Sequence, residues 1–529
     1  MAQTKKATKP APDQARLEKL KLDVMAAVDK RYDLAQQLND ALYSYAELGF
    51  QEKLSSQLLA ETLEKNGFKI ERGVAGIPTA FSARWGSGKP VIAIGSDIDC
   101  LPETSQTPGV AYYKPQIPNG PGHGEGHNTG MALNVAAALA VKEVMEREKI
   151  SGTLLLWPGI AEEIIAGKAF YTRDGLFKDA DACLFTHVST DFTTGWGDAG
   201  NNGLVSVKFT FEGASAHAAG SPWKGRDALD AVELMNMGWN ARREHLELTQ
   251  RSHRVIVEGG FQPNVTPSKA SVWYYFRERT YPKIVSLFEI GKKMAEGAAL
   301  MTDTKMSYQV LGAAWPGHFN KPIAEAAHEN IKKVGMPQWS EDDQLLAKAC
   351  QLEMKAPIIG LKNTVDTLSG PAKNSWGGGS DDIGDVSWAL PTIVLRYPSN
   401  IPGMVFHHWS AGIAVATPIA HKGNIAGAKA IAMTTLDLLL KPELVKNAWD
   451  YYNNVQTKDQ KYIPLLAPED RPATFLNTKI MEEFRPQQER FYYDATKYKT
   501  YLEQLGVKYP TLRDDQIEAL KKLNQQGGK

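Results

Sequence analysis

Nine residues, Gly122-His123-Gly124-Glu125-Gly126-His127-Asn128-Thr129-Gly130, gather two histidines, a carboxylate and an amide. The glycines between them free the backbone for φ/ψ values that turn these side chains toward one point. Imidazole nitrogen and carboxylate oxygen are the donors that a divalent metal of zinc's type takes. A Gly-rich surface loop with solvated histidines is the competing reading, and the rest of the chain decides between them.

Two further stretches bear on that choice. Glu162-Glu163 follow the apolar run 154–157. On extended backbone they would point to opposite sides, one toward a metal and the other toward substrate as general base. A solvated helix amino terminus, where the dipole favours Glu, is the alternative. His187 and the pair His407-His408 also follow apolar runs, and in a strand only one of the pair joins a given site. The other binds substrate or caps structure. Nucleotide and nucleophile chemistries find no support: the Gly run does not fit G-x-G-x-x-G, and neither G-x-x-x-x-G-K-[ST] nor G-x-S-x-G occurs.

Strand-like runs at 90–94, 154–157 and 182–185 alternate with helical patterns at 131–147 and 164–174, after helical spacing across 15–48 and 55–66. This predicts an α/β fold with a mostly parallel sheet covered by helices on both faces. Asp97 and Asp99, Glu162-Glu163, and His187 then fall beyond the carboxyl ends of successive strands, where such sheets place their chemistry. A β-α-β-α-β pattern follows, with strands at 204–212, 270–277 and 304–311 and helices at 227–245 and 283–298. It predicts a smaller α+β domain inserted into the larger one. The first domain resumes with strands at 392–396 and 404–408 and a helix at 421–440. The expected division is a disordered arm at 1–14, a catalytic domain at 15–203 and 319–440, the inserted domain at 204–318, and a packing tail at 441–529 with helices at 474–485 and 514–523.

Lys plus Arg equals Asp plus Glu at 60 each, so no charge footprint invites nucleic acid. No apolar window approaches the roughly 18 residues of a membrane span. Cys100, Cys183 and Cys350 lie far apart, without zinc-ribbon or disulfide spacing. The chain as it stands reads as cytoplasmic, or as periplasmic after removal of a signal peptide.

Taken in order, Asp97-Ile98-Asp99-Cys100-Leu101-Pro102, Gly124-Glu125-Gly126-His127-Asn128, Ala161-Glu162-Glu163, His187, Gly213-Ala214-Ser215-Ala216-His217-Ala218 and a later histidine resemble one family. It is the zinc amidohydrolases that include aminoacylase, carboxypeptidase G and the indole-acetyl-amino-acid hydrolases. The resemblance spans residues 20–440 and implies metal ligands at His127, Glu163, His187 and His407. It implies Glu162 as general base and Asp99 as the carboxylate that orients a ligand. It further implies His217 as the group that polarises the scissile carbonyl, often from a neighbouring protomer, and Asn264 and Arg277 as substrate holders. A homodimer through the inserted domain follows.

Two departures modify that expectation. Asp97-Ile98-Asp99 replaces the His-x-Asp of many members, so Asp97 is not assigned as a ligand. Glu125 stands where the indole-acetyl branch has Cys, exchanging a soft sulfur for hard oxygens that can bridge two metals. The expectation is therefore two divalent ions, zinc with manganese or cobalt as substitutes, bridged by Glu125 and a water. The expected reaction is cleavage of an N-acyl or N-aroyl amino acid by a metal-activated water, with Glu162 passing its proton to the leaving amine. A dipeptidase or carboxypeptidase of the same fold, and a non-catalytic metal-binding partner protein, are the alternatives. Trp196, Trp223, Trp315 and Trp376 are candidates to cradle an aromatic acyl group.

Overall fold

The computed structural model describes residues 14–373 and 375–526. The expected arm lies outside the described residues except for Gln14, which opens the first helix. Helices α1 (Gln14–Asp29), α2 (Tyr32–Tyr45) and α3 (Lys53–Lys65) precede the first sheet. Strands β1 (Lys69–Arg72) and β2 (Phe81–Ser87) form an edge ribbon that sequence patterning did not mark. β1 is almost wholly exposed, so no burial period is written into it. Then follow β3 (Val91–Asp97), α4 (Gly130–Glu148), β4 (Gly152–Gly159), α5 (Lys168–Arg173) and β5 (Ala182–Ser189). After the short β6 (Thr193–Thr194) and β7 (Gly197–Asp198), the chain leaves for β8 (Gly203–Glu212), α6 (Ala228–Arg243), β9 (Arg251–Glu258), β10 (Lys269–Glu278), α7 (Tyr281–Thr302) and β11 (Lys305–Ala314). It returns through β12 (His318–Phe319), α8 (Lys321–Val334), α9 (Glu341–Glu353), α10 (Ile383–Ala389), β13 (Thr392–Pro398) and α11 (Pro418–Leu440).

The main sheet is ordered β1-β2-β4-β3-β5-β13-β6. Its four central strands, β4, β3, β5 and β13, are mutually parallel, and antiparallel pairings are confined to the flanks. Every residue of β3, β4 and β5 is buried, which requires helical cover on both faces. The register places Asp97 opposite Gly159 and His187 opposite Arg396, so the polar residues emerge together at the carboxyl edge.

A second, antiparallel sheet is ordered β11-β8-β10-β9. Val272, Tyr274 and Phe276 of β10 are buried, with Trp239 of α6 centred 4.7 Å from Phe276, while Trp273, Tyr275 and Arg277 alternate onto the other face. The edge strand β9 is an addition to the expected pattern. Its sequence Arg-Ser-His-Arg-Val-Ile-Val-Glu is mostly exposed and carries no two-residue alternation.

Two local expectations are corrected. Residues 404–408 form no strand, because Pro402 and Gly403 (φ 86°) break the extended chain and His408 then caps a 3₁₀ turn, Trp409–Gly412. Glu162 and Glu163 are not on extended backbone: β4 ends at Gly159, Ala161 takes a left-handed conformation (φ 55°), and Glu162–Ile164 is a 3₁₀ turn. The helices expected in the tail are present as Thr478–Gln488 and Asp514–Gln526.

Two contacts fix the glycine-rich loop against this frame. At Gly130 the first turn of α4 lies so close to β3 that an added Cβ would sit 1.8 Å from Ser96 Oγ and 2.6 Å from Ser96 Cβ. His123 is buried, and its ring Nε2–H donates to the Leu42 carbonyl of α2 at 3.1 Å. Burial, helped by the neighbouring His127, pushes His123 down to about 3.

Two outcomes are expected. Gly130→Ala gains about 0.5–1 kcal/mol of helix propensity, but Ser96 Cβ cannot rotate away, and overpacking of about 1–3 kcal/mol outweighs the gain. The urea midpoint should fall with unchanged slope. For His123, the unfolded chain binds a proton between about pH 6.5 and about pH 3 that the folded chain refuses, so stability falls as pH drops through that window. The midpoint of the wild type should therefore fall more between about pH 7 and about pH 4.5 than that of His123→Gln; equal falls would refute the buried neutral imidazole.

Candidate active site

Each polar residue at the carboxyl edge is held by a specific local device. The His407 backbone N–H donates to the Gly124 carbonyl at 3.1 Å, and Asn400 Nδ2 donates to the Glu125 carbonyl at 3.3 Å, so the loop after β13 grips the glycine-rich loop. Asn128 Nδ2 donates to the Val415 carbonyl at 2.7 Å, which seats the 3₁₀ turn carrying His127. The buried Glu52 accepts the Ala161 N–H at 2.9 Å, and Asp99 accepts the Glu163 N–H at 3.0 Å, so two carboxylates lock the turn of Glu162 and Glu163.

Glu125 is the centre of the cluster. Its Oε1 lies 3.3 Å from His187 Nε2 and its Oε2 lies 3.3 Å from His407 Nε2. Glu163 Oε2 is 3.5 Å from the same His407 nitrogen, and Glu163 Oε1 is 3.6 Å from His127 Nδ1. Two donor groups result, Glu125-His127-His187 and Glu125-Glu163-His407, and they share Glu125. These separations exceed the roughly 2.7–2.9 Å of a charge-assisted hydrogen bond. They match the edge of a tetrahedron whose centre lies about 2.0–2.1 Å from nitrogen or oxygen donors, about 3.3 Å.

Both ring nitrogens of His127 are buried and lack a hydrogen-bond partner, a costly state unless a cation takes one of them. His187 Nδ1–H donates to the Val188 carbonyl at 2.8 Å, which leaves Nε2 facing Glu125 in the metal-binding tautomer. Mixed nitrogen and oxygen donors, arranged at this spacing around unpartnered imidazole nitrogens, fit a pair of divalent ions.

The electrostatics agree. Burial pushes Glu162 upward, with the charges of Asp381 and Asp97 adding to it and Lys168 opposing it; burial also raises Glu163, against the pull of His127. Burial would raise Glu125 as well, but His407, His187 and His127 outweigh it and hold that carboxyl below the usual range. Burial and the Arg396 guanidinium bring His187 down to about 4, which keeps its imidazole neutral as a ligand must be. Asp99 Oδ1 lies 3.5 Å from His127 Nδ1, where it can orient that ring.

The structure does not bring every expected residue here. His217 and Asn264 are exposed together on the second sheet's unit, where the Ala218 N–H donates to the Asn264 carbonyl at 3.2 Å. Arg277 approaches the cluster: Nη1 lies 3.3 Å from Ser380 Oγ, its guanidinium carbon stands 5.0 Å from the Tyr275 ring centroid, and its buried Nε has no partner. His408 caps the turn after His407 through Nδ1 and Ser410, at 3.0 Å from the hydroxyl. Trp315 is core, centred 4.8 Å from Tyr281, and Lys321 lies 4.7 Å over the Trp196 ring. Trp223 and Trp376 are exposed. The aromatic residues beside Arg277 are instead Tyr275 and Trp273, centred 5.9 Å apart.

Sequence reasoning missed Lys168, Asp381 and Asp382. Lys168 is fully buried, 2.5 Å from Asp97 and ion-paired with Asp382. A lone lysine inside Ala166-Gly167-Lys168-Ala169-Phe170 was the available signal, since an apolar flank implies burial and burial implies partners.

Residues 93–372 match the model of peptidase family M20/M25/M40. The chain is 32% identical over 468 residues to one of the two p-aminobenzoyl-glutamate hydrolase polypeptides of Escherichia coli K12, the B polypeptide, covering 84% of this chain and 96% of that one. It is 29% identical over 442 residues to the Xaa-Arg dipeptidase of Mus musculus, covering 82% and 92%. Among solved structures, the aminobenzoyl-glutamate utilization protein of Klebsiella pneumoniae shares the fold at a TM-score of 0.51 and 16% identity, over 80% of this chain and 97% of that one. With its parallel core, its second sheet and its clustered histidines and carboxylates, the chain belongs to peptidase family M20/M25/M40 and is a hydrolase of amide bonds.

Proposed function

We propose that this hydrolase cleaves the amide bond of an N-aroyl or N-acyl amino acid, of the p-aminobenzoyl-glutamate kind, at a site holding two divalent metal ions. The observation that carries the reading is Glu125, whose two oxygens each face a different histidine at 3.3 Å. His127, His187, Glu163 and His407 complete the two donor groups around it. Ions bound there, zinc or the similar manganese and cobalt, would supply Lewis acidity that lowers the pKa of a water and polarises the amide carbonyl.

The protein's own groups do the rest. Glu162, on the turn beside Glu163, takes the proton of the attacking water and returns it to the leaving amine; its raised carboxyl suits a group that must both accept and donate near neutral pH. Asp99 holds His127 in orientation. Arg277, with an unpartnered Nε and flanked by the Tyr275 ring, pairs with the carboxylate of the amino-acid half. Trp273 and Tyr275 supply an aromatic ledge next to it.

His217 and Asn264 point to a homodimer. Among the described residues, β9 is one edge of the second sheet and exposes Val255, Ile256 and Val257, so a second copy pairing there would cover apolar surface. It would also allow His217 of one protomer to meet the scissile carbonyl in its partner. No helix among the described residues is long and apolar enough to cross a membrane.

The test is hydrolysis by purified wild type and Glu162→Gln across p-aminobenzoyl-glutamate, N-acyl amino acids and Xaa-Arg dipeptides, with metal content measured in parallel. The aroyl and acyl conjugates should be cleaved best. Glu162→Gln should lose about 10²- to 10⁴-fold in kcat while retaining its metal. Unchanged turnover in the mutant would refute the base assignment. Preferred cleavage of dipeptides would favour the peptidase alternative, and absence of hydrolysis by metal-loaded wild type would favour the non-catalytic one.

A further inference from the structure

Two more donor groups adjoin those that share Glu125: Asp97-His127-Glu162 and Glu162-Asp381-Asp382. Neither includes Glu125, and both are rich in carboxylate oxygen. The Lys168 side chain reaches these carboxylates fully buried. Its ammonium lies 2.5 Å from Asp97 Oδ1 and 3.8 Å from Asp381 Oδ1, and it contacts Asp382 Oδ1 directly. The placement is fixed from both ends, since the backbone N–H groups of Gly167 and Lys168 also donate to Asp382 Oδ2, at 3.2 and 2.8 Å. The Phe185 ring, centred 5.0 Å from the ammonium, contributes cation–π attraction.

An ammonium among three aspartates occupies the place that an oxygen-seeking cation would take. The geometry points to Lys168 as a positioning residue: a built-in third cation that keeps Asp97 and Asp381-Asp382 out of metal ligation and restricts divalent ions to the Glu125 side. This also accounts for Asp97, whose carboxylate is turned to Lys168. The inference rests on the two-ion reading of the site proposed above.

Removing the ammonium leaves neighbouring buried carboxylates without counter-charge, an arrangement that binds hard ions such as Mn²⁺. The experiment strips full-length protein with chelator, reloads it with Zn²⁺, adds Mn²⁺, removes free metal, and counts bound ions by elemental analysis and native mass spectrometry. Wild type and Lys168→Arg should retain two Zn²⁺ and no Mn²⁺. Lys168→Ala should retain about one Mn²⁺ in addition.

Two ions in both wild type and Lys168→Ala would overturn this inference alone, as would three in the wild type. Fewer than two in the wild type would overturn the two-ion reading and this inference with it. Should Lys168→Ala unfold without metal, folding restored by Mn²⁺ supports the inference. Failure to fold at every Mn²⁺ concentration, while Lys168→Arg folds, overturns it.

Discussion

The constraint on which this structure depends is that carboxylates taken out of water demand positive charge. Asp97, Asp99, Glu162 and Asp382 are buried together at the carboxyl edge of one sheet, with Glu125 and Glu163 largely covered beside them. Burying a charge without a partner costs several kcal/mol, so such a cluster either takes up protons or gathers cations. Lys168 answers that demand on one side. On the other side the available groups are histidines, which carry a full charge only when protonated; burial together with Arg396 opposes protonation at His187, whereas at His127 the carboxylates of Asp99, Glu163 and Glu125 outweigh burial and favour it. The deficit therefore sits where His127, His187 and His407 surround Glu125.

The fold makes this concentration of charge possible by spending apolar sequence on the strands and polar sequence just beyond them. Parallel β3, β4 and β5 bring Asp97, the Glu162 turn and His187 to one edge. The loop after β13 then closes the arrangement, since His407 is both a donor group and, through its backbone, a hydrogen-bond partner of Gly124. His407 takes a positive φ of 58° and its side chain remains 60% exposed, which puts the solvent entrance on its side of the cluster.

Much of this was legible in the sequence because the signals were short and local. The apolar runs marked β3, β4 and β5, and the ordered motifs singled out Glu125, His127, Glu163, His187 and His407, which the structure brings into two adjoining groups. What escaped depends on three-dimensional context. β9 is a solvent-facing edge strand without alternation, and the extended reading of Glu162-Glu163 failed because Ala161 takes a left-handed turn that Glu52 and Asp99 stabilise from afar. Lys168 is separated from Asp382 by 214 residues, so their pairing leaves no trace in local spacing. Trp315 was a candidate for substrate contact by proximity in sequence, yet its indole is packed with Tyr281 and Trp388 in the core.

The central claim is that Glu125 joins two metal ions, one through each carboxylate oxygen. A crystal structure of zinc-loaded protein, with anomalous scattering collected on both sides of the zinc absorption edge, tests it most directly. The account predicts two anomalous peaks about 3.5–4 Å apart with Glu125 between them, His187 on one ion and His407 on the other. A single peak, or two ions with Glu125 bound to only one of them, would contradict it.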